Sequence, residues 1–199
     1  MVLEEVGAVP DAVLPVAALA GHLRLGTAFE PEGLQAGLLA SHLRAAMAAI
    51  EARTGKALIR RGFRLRLERW REAGVQPLPV APVAVLGEVA VIGADGARVV
   101  AEAGRFALVP DAHRPRLVAV AGALPAIPAG GHVEIGLTAG FAALWEDVPD
   151  DLAQAVLLLA AEFYENRHDP GDGRGGMPAS VLALIGRWRT VRLLGGGGA

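Results

Sequence analysis

Ile50-Glu51-Ala52-Arg53-Thr54-Gly55-Lys56-Ala57-Leu58-Ile59-Arg60-Arg61-Gly62-Phe63-Arg64-Leu65-Arg66-Leu67-Glu68 is the stretch where the chain changes its period. Upstream, Leu39, Leu43, Ala46 and Ile50 recur at intervals of four, three and four, the spacing of one buried helix face. Thr54-Gly55 closes that helix, because glycine takes the left-handed C-cap conformation without a Cβ clash. From Phe63 to Glu68 apolar and charged residues alternate strictly, which is the pattern of a half-buried strand. A helical segment therefore hands over to a β segment near residue 57.

Working back toward the N-terminus, Thr27 and Glu30 have capping-box spacing ahead of this helix, predicted over roughly residues 31–53. A shorter helix is predicted from Pro15 to Leu23, with Pro15 suited to its first turn. Working forward, Gln76 to Pro82 is a proline-rich connection into a strand over Val83–Ile92. Gly93-Ala94-Asp95-Gly96 then gives a hairpin-turn signal. Arg98–Ala101, Arg105–Val109, Arg116–Val120 and His132–Thr138 are further short strand candidates, which predicts a small antiparallel sheet or barrel. Helix resumes at Val148-Pro149-Asp150-Asp151, where two acids complement the helix dipole, and Leu152, Val156, Leu159 and Phe163 form its apolar stripe. A last helix is predicted over about Pro178–Leu194.

The fold class these elements predict is α+β: a bundle of about four helices with a small antiparallel β insertion between the second and third. The expected organisation is 1–57 N-terminal helices, 58–140 β-rich insertion, 141–194 C-terminal helices completing the helical core, and 195–199 a flexible tail.

Composition supports a single packed body. The chain has 199 residues, 53% hydrophobic and 20% charged, which is ample for a core and unlike a disordered chain. With no cysteine, disulfides and thiolate metal sites are excluded. The N-terminus has two acids and no basic residue ahead of its apolar stretch, unlike a secretory signal, and the apolar run Leu152–Ala161 is about half a membrane span. A soluble, intracellularly made protein is expected. The formal net charge of −2 lacks the basic surplus of a protein that coats duplex DNA.

Chemistry-bearing patterns are sparse. Glu162, Glu165 and His168 are three apart near a helix end, but di-metal carboxylate bundles need two Glu-x-x-His copies and only one is present. Salt bridges at a solvated helix end explain the trio better. Ser41 and Ser180 are the only serines, and neither sits in a nucleophile elbow. Gly171 to Gly176 follows a helix and lacks the Gly-Lys-Ser/Thr ending of a phosphate loop, so it reads as linker. Arg60, Arg61, Arg64, Arg66, Arg69 and Arg71 form a basic cluster beside the first predicted strand, more simply a solvated face than a phosphate contact. Arg187-Trp188-Arg189-Thr190-Val191-Arg192-Leu193-Leu194 combines residue types that anchor interfaces, and Trp188 has equal claim to a place inside its own domain. No catalytic residue, cofactor site or metal site is expected.

Several words of the sequence resemble, in order, the head–tail connector (adaptor) family of long-tailed phages and gene transfer agents. Gly21-His22-Leu23-Arg24-Leu25 is similar to the family's opening helix end, and Ile50 to Leu58 to its Thr-Gly helix end. Leu78-Pro79-Val80-Ala81-Pro82-Val83 looks like the step into its insertion, and Gly136-Leu137-Thr138-Ala139-Gly140-Phe141 like the strand end that leaves it. Ala161 to Arg167 and Met177 to Arg189 are similar to its last two helices. The resemblance implies a virion structural protein of the neck, not an enzyme, that forms an oligomeric, dodecameric ring under the portal protein. DNA would pass through the channel without sequence-specific binding, and a tail-proximal stopper protein would sit on the far side. It also implies portal contact by Arg187, Trp188, Arg189, Val191, Arg192, Leu193 and Leu194. A loop containing His168, Asp169, Asp172 and Arg174 would face the channel or a neighbour. The rival readings are a head-completion stopper or tail-end protein, a small enzyme with its site in the β insertion, and a DNA-binding regulator. The four-glycine end has no counterpart in the family.

Overall fold

The computed structural model describes residues 1–26, 33–166 and 176–189. In chain order the elements are β1 (Val2–Val6), α1 (Val16–His22), α2 (Leu34–Thr54), β2 (Arg61–Leu67), β3 (Val75–Pro77), β4 (Val83–Ile92), β5 (Arg98–Val100), β6 (Phe106–Val109), β7 (Arg116–Ala119), β8 (His132–Ala139), α3 (Asp150–Glu165) and α4 (Ala179–Ile185). All strand pairings are antiparallel, in a five-stranded sheet ordered β1-β2-β8-β4-β5 and a three-stranded sheet ordered β3-β7-β6.

This architecture corrects the expected helical bundle with a small β insertion. The strands form two sheets that share a hydrophobic core of their own, and β1 joins them from the N-terminal segment, ahead of every helix. The reason lies in the alternation that first marked β2. Phe63, Leu65 and Leu67 point to one face, opposite Leu137, Ile135 and Val133 of β8 in register. Such a face must be covered by a second layer. Leu117 of β7, Phe106 of β6 and Leu78 beside β3 provide it. A flap on a bundle would have left that face wet.

The helices enclose a second core. Leu39, Leu43, Ala46 and Ile50 of α2 pack with Leu152, Val156 and Leu159 of α3, and Val181 and Ile185 of α4 close the far side. The edge-to-face contact of the half-buried His42 and Tyr164, 5.9 Å between ring centroids, joins α2 to α3. Gly55 ends α2 with φ 70°, as its position after Thr54 predicts, and its N–H donates to the Glu51 carbonyl at 2.8 Å.

The two cores meet at a seam. Lys56 bridges to Ala81 and Ile59 to Ala142, both in parallel sense. Gly140 crosses there at φ 137°, with the site of any Cβ only 2.5 Å from Arg60 Cα and N. Only glycine fits that crossing. Arg61 fastens the same place from the side, with Nη2 2.6 Å from Glu51 Oε2 and Nε 2.7 Å from Glu5 Oε1. One guanidinium thus links α2, β1 and β2.

Candidate functional site

The predicted interface segment begins at a corner made by α3, α4 and the short 3-10 turn Gly186–Trp188. Pro149 starts α3 as predicted, placing Asp151 in the first turn, where its Oδ1 accepts from the Leu152 N–H at 3.0 Å. The other oxygen, Oδ2, accepts from Arg187 Nε at 2.7 Å and from Trp188 Nε1 at 2.8 Å. Burial pushes the Asp151 carboxyl up, but these donors outweigh it and hold the group below the usual carboxylate range. The Trp188 ring meets Phe141 edge-to-face at 4.9 Å, and the Arg187 guanidinium lies 4.5 Å over that indole. Trp188 is therefore seated in its own chain, while the Arg187 side chain, 69% exposed, and Arg189 face outward. Val191, Arg192, Leu193 and Leu194 lie outside the described residues, as do His168, Asp169, Asp172 and Arg174.

The corner's chemistry is that of a fixed anchor. An indole held on three sides secures the end of the described chain, with Arg187 and Arg189 beside it. The sequence marked Arg187, Trp188 and Arg189 by type, but Asp151 only as a dipole partner. Its role as the acceptor for both neighbours depends on the α3–α4 angle, which no local word encodes.

The other candidates separate. Glu162 Oε1 accepts from Asn166 Nδ2 at 2.7 Å, Glu165 is exposed, and His168 is outside the described residues. Among the described residues no three His, Asp or Glu side chains are gathered so as to hold a metal ion. The basic cluster splits by strand parity. Arg61 turns inward to Glu51 and Glu5, whereas Arg64 and Arg66 lie exposed on the outer face, opposite Glu4 and Glu134 in register. Sequence reasoning missed Lys56, which is 1% exposed and has a buried Nζ without a hydrogen-bond partner. Burial lowers its pKa, and the charge of Asp111 offsets this only in part. No helix among the described residues is long and apolar enough to cross a membrane.

No family description and no curated protein matches the chain. Solved structures do. A chain in the neck of an empty gene transfer agent particle, in a structure with sixfold symmetry, is 55% identical with a TM-score of 0.88, and the match covers 98% of this chain and 99% of that one. A chain of the native gene transfer agent virion is 56% identical with a TM-score of 0.85, over the same shares. A third, in the neck of the native particle with twelvefold symmetry, is 53% identical with a TM-score of 0.82, again over 98% and 99%.

Proposed function

The chain belongs to the neck proteins of gene transfer agent particles, and from that premise we propose that it is the adaptor that joins the portal protein to the tail. The observation that carries this reading is the 53–56% identity, over 98% of this chain, to neck and virion components. Its mechanism is assembly. Twelve copies form a ring beneath the portal, each weak contact is multiplied by symmetry, and DNA passes through the channel. The formal charge of −2 suits a conduit that does not grip the duplex.

Within each subunit, the Asp151–Trp188 corner aims the segment that begins at Arg187 toward the portal, with Arg187 and Arg189 as its exposed cations. The loop containing His168, Asp169, Asp172 and Arg174 faces the channel or a neighbouring copy. The tail-proximal stopper occupies the opposite side.

Light scattering on a sizing column, with the protein alone and mixed with the portal of the same gene cluster, tests the reading. Co-elution at one subunit per portal subunit is expected. A protein that leaves the portal unbound would instead move the assignment to the tail side of the neck.

A further inference from the structure

The longest helix of the fold keeps one face open. On α2, Leu34, Leu38, Ser41, Ala45, Ala48 and Ala52 are all exposed and recur alternately four and three residues apart, opposite the buried stripe. Leu34 is wholly exposed and Leu38 is 41% exposed. The charged residues of the helix, Arg44, Glu51 and Arg53, flank this seam and do not enter it. At its C-terminal end, at Ala48 and Ala52, the seam borders a groove of mixed lining, apolar at Leu3, Phe63 and Val80 and charged at Glu51 and Arg61. A surface helix normally turns a charged or polar face outward, whereas the face α2 turns outward is made of Leu, Ala and one Ser. With a rise of ~1.5 Å per residue, the seam is roughly 30 Å long, so with a helix width of ~10 Å it is about 300 Å². That is the lower end of the ~300–600 Å² of the largest apolar patch on a typical monomer, a patch that is often functional.

We infer that this face of α2 seats an adjacent copy of the same chain. The inference rests on the ring reading above and deepens it. A closed ring with rotational symmetry makes every copy offer two different surfaces to its neighbours, and related necks have sixfold and twelvefold symmetry. The open sheet edges are poorly suited to that duty. β1 carries the adjacent acids Glu4 and Glu5, and β5 has three residues, with Arg98 bonded to Glu88. The seam is uncharged along a whole helix face, so association through it survives high salt.

Single substitutions Ala45→Glu and Ala48→Glu, each with the portal present and absent, test this. Both side chains are exposed in the lone subunit, so melting shifts by no more than ~2 °C. A charge forced without a partner into the copy-to-copy contact weakens ring assembly by roughly 100-fold or more. Gln154→Glu, which adds the same charge on an exposed position of α3, assembles normally. The chain has no cysteine, so Ala48→Cys can carry a single photo-crosslinker, and the expected adduct joins two copies of this chain. If Ala45→Glu and Ala48→Glu form wild-type rings, or the adduct is to the portal or within one chain, the inference is overturned and the ring reading stands. Wild-type protein that forms no ring, alone or with the portal, overturns both, and its mass alone tells the two failures apart.

Discussion

Replacing Asp151 with alanine removes the acceptor on which the end of the described chain is hung. Three donors lose their partner: the Leu152 N–H, Arg187 Nε and Trp188 Nε1. The indole bond is the largest contribution, since a half-buried N–H donating to a charged acceptor is worth ~1.5–3 kcal/mol. The Arg187 pair adds only ~0–1 kcal/mol because that side chain is mostly in water. Loss of a first-turn acid adds ~0.3–1 kcal/mol through the helix dipole. Asp151→Ala therefore destabilises by about 2–5 kcal/mol, and for a chain of this size melting falls by about 4–20 °C. Arg187→Ala should cost less than ~1 kcal/mol. The double variant Asp151→Ala, Trp188→Phe should fall short of additivity by about 1.5–3 kcal/mol, which isolates the indole bond. The sign with pH follows from the lowered carboxyl. A group whose folded pKa is depressed stabilises fully above its unfolded value, ~3.9, and loses that contribution as pH falls through the folded value. The gap between wild type and Asp151→Ala must therefore be full at pH 7 and close in acid below the ordinary carboxylate range. Urea unfolding at pH 7 and in acid measures both. A gap under ~0.5 kcal/mol at pH 7, or one that widens in acid, would refute the claim that this carboxylate holds the corner.

Three other perturbations probe the seam. Arg61→Ala leaves the Glu51 carboxylate, 15% exposed, without its main cation, and should destabilise by about 3–5 kcal/mol by denaturant titration. Gly140→Ala places a methyl group 2.5 Å from the Arg60 backbone in a conformation alanine rarely adopts, and circular dichroism should show loss of more than ~3 kcal/mol or failure to fold. Lys56→Met should be neutral or stabilising by up to ~4 kcal/mol at pH 7, because it removes an ammonium buried without a hydrogen bond. A lysine whose folded pKa is lowered destabilises most while protonated in the unfolded chain, so wild-type stability rises with pH from the folded value to ~10.4, and the methionine advantage shrinks across that window.

What could be read in the sequence was whatever short-range physics writes down. The Thr54-Gly55 stop, the Phe63–Leu67 alternation, the Asp95-Gly96 turn and the Pro149 start each depend on a few adjacent residues, and each lies where it was expected. The weight of the β part was not legible. A strand declares itself singly, whereas a sheet exists through pairings between residues as distant as Arg61 and Ala139. β1 was the extreme case: Val2-Leu3-Glu4-Glu5-Val6 breaks alternation with two acids, all five residues are exposed, and the segment is a strand because β2 offers it an edge. Among site residues, Arg61 looked like one arginine of a cluster. The parity of its strand turns it inward, and only the packed α2 supplies the Glu51 it needs. The open seam on α2 was present in the spacing of Leu34, Leu38 and Ala45, but a second stripe on a helix already assigned to a core reads as more core.

The seam between the two cores also governs how the subunit comes apart. The polypeptide touches it three times, at residues 56–61, near Ala81 and at 139–142, and the helical core is built from two stretches of chain, up to Ile59 and from Ala142 on, that are joined only through the continuous piece 57–139 forming the core between the sheets. Melting either core strips Arg61, Gly140 and Ile59 of the partners that hold the other, and so the pair shares one free-energy balance. The protein accordingly melts as a unit, in a single calorimetric peak whose measured enthalpy equals the van't Hoff value.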